Sequence, residues 1–200
     1  MKNFFRNLFG SPEKNILPKR KEIQPVNKGA MIIGTATGTS IHYQMYADAL
    51  KCLDEMKLED AIAIYKKILE VEEEGVNIVS AWVGMGTCYK LLADDTNNQD
   101  DYTNAADCYQ KALAINAKSY TALLGMASVN YRRKDYFTAI LYYDKAQFIN
   151  PDAADAYWGL ALAHDLSGNI ELAKKNAKFF LEKAPDTRYR DAMEKILAKN

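Results

Sequence analysis

Two stretches of the sequence contain residue types that could bind a phosphate or a metal ion. GTATGTS (34–40) has the glycine and hydroxyl residues of a phosphate-binding loop. It lacks the Gly-Lys-Ser/Thr ending whose lysine reaches the phosphates. DDTNNQDD (94–101) offers many oxygen atoms for calcium, but it lacks the central glycine and the distal glutamate of an EF-hand loop. We therefore expect a flexible linker at 34–40 and an exposed polar loop at 94–101.

The histidines and cysteines do not form a catalytic or metal-binding pattern. His42 and His164 lie far apart in the chain, without a nearby cysteine or carboxylate arrangement of the kind that binds metals or activates nucleophiles. Cys52, Cys88 and Cys108 form no C-x-x-C pair, and their odd number argues against a disulfide framework. We predict a protein without enzymatic activity, cofactor or metal, located in the cytoplasm.

Charge is unevenly distributed along a chain whose net charge is zero. Residues 1–41 carry seven basic and two acidic residues, whereas the remainder carries 19 basic and 24 acidic ones. The basic cluster at 18–22 stands alone without interleaved aromatic residues, so we expect no nucleic-acid partner. The beginning of the chain is interrupted by Arg6 and Asn7 and therefore does not fit a signal peptide.

The remaining sequence contains an internal repeat. DYFTAILYYDKAQFINP (135–151) aligns without a gap with DYTNAADCYQKALAINA (101–117). Residues 57–73 and 169–185 follow the same pattern, and each segment has the apolar spacing of an amphipathic helix. A second helical pattern precedes each of these segments, with small residues at fixed positions. The sequence therefore predicts a series of helical hairpins.

These hairpins resemble the tetratricopeptide repeat (TPR) family. Trp82, Met85, Gly86 and Tyr89 fit the W-x-x-L-G-x-x-Y pattern of its first helix. The resemblance implies an all-α, right-handed α-solenoid with four units, which we place at 42–78, 79–119, 120–153 and 154–187. Residues 1–41 form a flexible basic tail in this interpretation. A final amphipathic helix at 188–200 covers the open end of the stack.

Three of the predicted first helices carry a glycine at one shared position. These residues are Gly84, Gly125 and Gly159. A glycine inside a helix costs about 1 kcal/mol relative to alanine, so some interaction must offset it. Close packing of neighbouring helices is one explanation. The alternative is that these glycines line a furrow for a bound chain.

The resemblance also implies a concave groove, because the first helices of TPR units line the face on which peptides bind. The positions that hold a Lys/Asn/Arg clamp in chaperone-binding members are here Tyr46, Leu50, Gly84, Thr121 and Gly125, so that clamp is absent. We expect the groove to accept an apolar peptide or helix of a protein partner. Lys90 belongs to the same stripe of the second unit. The predicted groove residues are Tyr43, Tyr46, Leu50, Val83, Gly84, Thr87, Leu124, Gly125, Tyr131, Trp158 and Leu162.

The N-terminal tail offers a second interaction element. Phe4, Phe5, Leu8 and Phe9 gather on one side of a short helical pattern. We expect this segment to dock on a partner or on the repeats, and only weakly on a membrane. The segment 29–41 is a hypothetical occupant of the groove. The function that follows is an interaction scaffold or adaptor. Alternatives are a dedicated chaperone similar to those of secretion systems, or a structural subunit of a larger bacterial assembly, including one at a membrane.

Overall fold

A computed structural model describes residues 36–71, 76–185 and 187–199. Within these ranges it contains nine α-helices and no strand, which confirms the predicted all-α class. The helices are α1 (Ala36–Asp54), α2 (Leu58–Val71), α3 (Val76–Thr96), α4 (Gln99–Ile115), α5 (Tyr120–Arg132), α6 (Tyr136–Ile149), α7 (Ala154–Leu166), α8 (Ile170–Lys183) and α9 (Arg190–Leu197).

The helices form four hairpins stacked in chain order. α1 pairs with α2, α3 with α4, α5 with α6, and α7 with α8, and each second helix also packs on the first helix of the following hairpin. The first helices contact one another directly across the junctions, α1 with α3, α3 with α5 and α5 with α7. These four helices therefore form one continuous inner row, the arrangement of an α-solenoid.

Each hairpin turn contains one residue with a left-handed backbone. These residues are Met56, Asn97, Lys134 and Gly168, with φ between 56° and 82°. In three of the turns the following amide donates to a carbonyl five residues earlier, as from Asp135 to Asn130 at 2.9 Å. This is the Schellman arrangement that ends a helix by satisfying its last carbonyls. The short turns keep the two helices of each pair antiparallel.

The oxygen-rich segment 94–101 is not the exposed loop that we predicted. α3 continues to Thr96 and α4 begins at Gln99, so only two residues connect the helices. Asn98 accepts a hydrogen bond from the amide of Asp100 at 2.9 Å and thus caps α4. Asp94 is turned inward, with its side chain 3% exposed. The oxygens of this segment serve helix capping and an internal ion pair.

α1 begins at Ala36, six residues before the predicted start of the first repeat at His42. The linker predicted at 34–40 is therefore helical from residue 36 onward. Once the following turns are held by packing, extension of a helix adds one hydrogen bond for each residue fixed. Because residues 36–41 are helical, the segment 29–41 cannot lie in the groove as one extended peptide.

α9 caps the last hairpin as predicted. Met193 is fully buried and Ile196 is 3% exposed, in one apolar cluster with Ala177 and Phe180 of α8. The charged residues of this short helix face outward. The apolar end of the stack is covered in this way.

Candidate partner-binding surface

The three aligned glycines are covered by tyrosine rings from the preceding hairpin. Gly84 lies under Tyr65, Gly125 under Tyr109, and Gly159 under Tyr143. A Cβ atom added to any of these glycines would lie closer than 3.0 Å to three atoms of the tyrosine. Tyr65 and Tyr109 are themselves fully buried, and Tyr143 is 3% exposed. The glycines therefore provide the space in which each hairpin docks on the next.

Gly86 has a different function within its own hairpin. A Cβ atom there would lie 3.0 Å from the Tyr109 ring and 3.2 Å from the carbonyl oxygen of Ala105. The corresponding positions of the other three hairpins hold alanine, and Ala49, Ala127 and Ala161 are fully buried. Small residues at this position let the two helices of a pair approach closely.

Three predicted groove residues are therefore part of the core. Gly84 and Gly125 are buried beneath tyrosine rings, and Leu124 is 3% exposed in the apolar cluster of the third hairpin. None of the three can contact a guest without displacing its neighbours. Of our two explanations for the glycines, close packing agrees with these contacts and the furrow does not.

The other predicted groove residues remain half-buried on the inner helices. They are Tyr46 and Leu50 on α1, Val83 and Thr87 on α3, Tyr131 on α5, and Trp158 and Leu162 on α7. The side chain of Tyr43 lies outside the described part of the chain. Spacings of four residues place the members of each pair on one helix face. A discontinuous apolar stripe thus follows the inner row.

Internal contacts fix several of these side chains. The hydroxyl of Thr87 donates to the carbonyl of Val83 at 2.9 Å and lies 3.2 Å from the buried hydroxyl of Tyr109. The Tyr46 ring meets Tyr65 edge-on at 5.9 Å. The stripe is consequently preorganised, because its side chains are held before any guest arrives.

The cap closes the stripe at its C-terminal end. Trp158 packs against Tyr189, which precedes α9, with their ring centroids 5.5 Å apart. The Tyr189 ring also lies beside the Phe180 ring of α8, with their centroids 6.5 Å apart. Access to Trp158 is therefore limited on this side, so Leu162 and Tyr131 are the better candidates for contact in the last two hairpins.

A partly buried ion-pair network lies beside the stripe where the second and third hairpins meet. Asp94 accepts from Lys90 at 3.2 Å, from Tyr102 at 2.8 Å and from Arg132 at 2.6 Å. Lys90 is completely buried, and this burial lowers the pKa of its ammonium group. Burial also raises the pKa of Tyr102 to about 12. Because the donors come from α3, α4 and α5, the network links the two hairpins.

The described residues contain no group of three or more His, Cys, Asp or Glu side chains that could hold a metal. Cys88 and Cys108 are buried and Cys52 is half-buried, and all three are free thiols. Burial raises the pKa of Cys88 to about 12 and that of Cys108 to about 11. Both thiols are therefore protonated at neutral pH and are poor nucleophiles.

Sequence reasoning missed an apolar surface on the second helices. Phe137, Leu141 and Phe148 of α6 are exposed, the two phenylalanines by 83% and 85%. Leu172 and Phe179 of α8 are exposed nearby, since both line a cavity that Asp144 of α6 also lines. We call these five apolar residues the outer apolar face. The sequence feature that could have revealed this face is the apolar character of α6 on all sides, which is typical of a fully buried helix.

The tail residues Phe4, Phe5, Leu8 and Phe9 lie outside the described residues, so their docking stays a prediction. Within the described helices, none has the length and apolar composition needed to cross a bilayer.

Comparison with known proteins agrees with this architecture. No protein-family model and no curated protein matches the chain. Among solved structures, MamA (residues 41 to the end) from Desulfovibrio magneticus RS-1 matches with a TM-score of 0.65 and 19% identity over 78% of this chain and 82% of that chain.

Two further structures are similar. A tetratricopeptide repeat protein from Parabacteroides merdae ATCC 43184 has a TM-score of 0.64 and 18% identity, covering 79% of this chain and 59% of that one. YrrB, a TPR protein with an unusual peptide-binding site, has a TM-score of 0.62 and 16% identity, covering 79% and 76%. Identity at this level establishes the fold alone. The chain therefore folds as a tetratricopeptide-repeat solenoid.

Proposed function

We propose that the protein is a non-enzymatic interaction scaffold that binds an apolar peptide or helix of a partner protein along its inner row of helices. The observation that carries this proposal is the half-buried stripe formed by Tyr46, Leu50, Val83, Tyr131 and Leu162. Apolar side chains that stay partly exposed on a concave surface lose further contact with water when a guest binds, and that transfer is favourable.

The neighbouring charges support an apolar guest over an acidic one. Lys90 lies in the stripe of α3, but its ammonium group is buried and bonded to Asp94. Arg132 is also bonded to Asp94. Both cations are engaged internally, so a carboxylate of a guest would compete with Asp94 for them. YrrB has an unusual peptide-binding site on the same fold, which makes a peptide guest a reasonable expectation here.

The test is a selection of displayed 16-residue peptides on the full chain, followed by affinity measurements with the selected peptides. Val83→Ser, Tyr131→Ala and Leu162→Ser each remove an apolar group that a guest would cover. Full burial of such a side chain contributes about 1.5–3 kcal/mol. Because a guest would cover only the half that is still exposed, we expect each variant to weaken binding by about three- to tenfold. The matched control is Ile115→Ser, which truncates an exposed isoleucine at the end of α4, a helix outside the inner row.

Two results would contradict the proposal. Selected peptides that bind all three variants and the control equally would show that the stripe is not the binding surface. A selection that yields only acidic or basic sequences would show that the guest is not apolar. Circular dichroism of each variant checks that its helices are retained.

The scaffold, chaperone and assembly-subunit alternatives share this binding surface and differ in the lifetime of the complex. A chaperone releases its client and keeps it soluble, whereas a permanent subunit copurifies with its partner in fixed stoichiometry. Affinity purification with mass spectrometry separates them, because it identifies the partner and its ratio to this chain.

A further inference from the structure

Asp155 lies on the same face of α7 as two residues of the apolar stripe. It precedes Trp158 by three residues and Leu162 by seven, and side chains at these spacings project from one side of a helix. All three residues are half-buried. The stripe therefore has a carboxylate beside it at the N-terminal end of α7.

The groups around Asp155 are uncharged side chains of the third hairpin. The Tyr143 ring of α6 packs on Gly159, one turn further along α7, and Tyr120 of α5 belongs to the same apolar cluster. The Tyr120 hydroxyl lies beside the amide of Ala156, the residue that follows Asp155, but forms no hydrogen bond of normal geometry. The carboxylate thus stands where the third and fourth hairpins meet on the inner row.

The carboxylate of Asp155 has no compensating charge. It forms no ion pair or side-chain hydrogen bond with the part of the chain that the structure describes. Burial raises its pKa to about 6, and no neighbouring cation acts to lower it. An ionised carboxylate that is withdrawn from water without a partner destabilises the folded protein. Departures of this kind from stable packing are expected where a protein binds a ligand.

Other carboxylates of the inner helices differ from Asp155 in this respect. Asp94 on α3 accepts from Lys90 and Arg132. Asp165, near the other end of α7, is paired with Lys199. These two carboxylates are already neutralised within the chain, whereas the one at Asp155 remains available to a cation from outside.

We propose that Asp155 is a specificity-determining residue of the inner row and pairs with one lysine or arginine of the guest, whose apolar side chains cover the stripe. This proposal rests on the proposed function and narrows the guest from an apolar segment to an apolar segment with one basic residue. A cation of the guest supplies the ion pair that Asp155 lacks, and charge-assisted hydrogen bonds are stronger than neutral ones. Such a pair also fixes the register in which the guest lies.

Peptides selected from the displayed 16-residue library on the full chain are the probe. We expect most selected sequences to hold lysine or arginine at one shared position among apolar residues. One such peptide is synthesised with its basic residue and, separately, with norleucine at that position, which keeps an unbranched aliphatic chain without the charge. Calorimetry then measures the affinity of both peptides for the parent chain and its variants.

Asp155→Asn should weaken binding of the basic peptide at least tenfold and change that of the norleucine peptide less than twofold. The variant is expected to fold, because the amide has the same size and carries no charge to bury. Asp165→Asn is the matched control, since it removes a carboxylate of the same helix that Lys199 already engages. It should change the affinity of both peptides less than twofold. A carboxylate that served only the N-terminus of α7 would affect stability and not this contrast between peptides.

Three results would overturn the proposal: selected peptides without a preferred basic residue, an affinity for the basic peptide that Asp155→Asn leaves unchanged, or an equal loss for both peptides. The stripe variants Val83→Ser and Tyr131→Ala are measured with the same peptides. If they still weaken binding, the proposed function stands and only the role of Asp155 is refuted. If they leave binding unchanged, the proposed function itself is contradicted.

Discussion

Replacing Gly125 by alanine should destabilise the protein, although alanine is the better helix former. The substitution gains about 1 kcal/mol of helix propensity. Against this, the new Cβ would lie closer than 3.0 Å to three atoms of the Tyr109 ring. Tyr109 is fully buried and cannot swing into solvent. Overpacking of this kind costs typically up to about 3 kcal/mol, so we expect a net loss of about 2 kcal/mol.

Equilibrium unfolding in urea, followed by circular dichroism at 222 nm, measures this loss. For a chain of this size, 2 kcal/mol corresponds to a decrease of about 4–8 °C in Tm. Ala63→Gly is the matched control, because residue 63 is exposed on α2. Its substitution should report the propensity difference alone, a destabilisation of about 1 kcal/mol.

A double-mutant cycle identifies the clash as the cause. Tyr109→Leu removes ring atoms and should itself destabilise by about 2–4 kcal/mol through the cavity it leaves. In that background Gly125→Ala should become neutral or stabilising, which gives a coupling energy of about 2 kcal/mol or more between the two sites. A Gly125→Ala variant that is more stable than the parent protein would refute the packing argument.

Three further predictions concern the stability of the array. Lys134→Gly should stabilise it by about 0.5–1 kcal/mol in urea unfolding, because glycine adopts the left-handed backbone at φ 65° without strain. Tyr65→Phe should be neutral or stabilising, since the Tyr65 hydroxyl is buried without a hydrogen-bond partner among the described residues. Tyr109→Phe should instead destabilise the protein by about 1 kcal/mol, because it removes the contact with Thr87 at 3.2 Å. Equal effects of the two substitutions in thermal unfolding would contradict this contrast. Burial raises the pKa of Asp155 to about 6, so the native state holds this proton more tightly than the unfolded state and stability falls as pH rises from about 4 to 6. The stability of Asp155→Asn relative to the parent protein should therefore increase by about 2 kcal/mol between pH 4 and pH 7. A stability difference that does not depend on pH would contradict this assignment.

The repeat pattern was sufficient to predict the helical hairpins and the cap. Helical periodicity fixes which residues face inward, and Met193 and Ile196 of α9 are buried as this periodicity requires. Periodicity reports the direction of a side chain from its own helix axis, however, and not the neighbour that it meets. Leu124 was assigned to the groove for this reason, although the adjoining helices cover it.

The turns and the buried polar groups were beyond this reasoning. Asp94 belongs to a run of polar residues that is typical of a loop. In the structure it pairs with Arg132, which lies 38 residues later in the chain. The left-handed backbone of Lys134 could not be predicted from the sequence, because lysine has no preference for that conformation. In the first case the local sequence is overruled by a contact between hairpins, and in the second by the hydrogen bonds of the turn within the third hairpin.

The tyrosine–glycine pairs also distinguish the internal junctions of the described stack from its two ends. Tyrosine occupies the second helix of each of the first three hairpins, and glycine the first helix of each hairpin that follows. Among the described residues no helix precedes the first hairpin, and Ala47 stands at the glycine position there. The fourth hairpin is followed only by α9, and Ala177 stands at the tyrosine position, in contact with the cluster that contains Met193.

Each internal junction therefore has a large residue facing a small one, and each end lacks one member of the pair. A fifth hairpin docking on α8 would find no tyrosine to place against its own glycine. Interactions between neighbouring units largely determine the stability of such arrays. Within the described residues these pairs thus distinguish the three internal junctions from the end at α8, which α9 covers with its buried methionine.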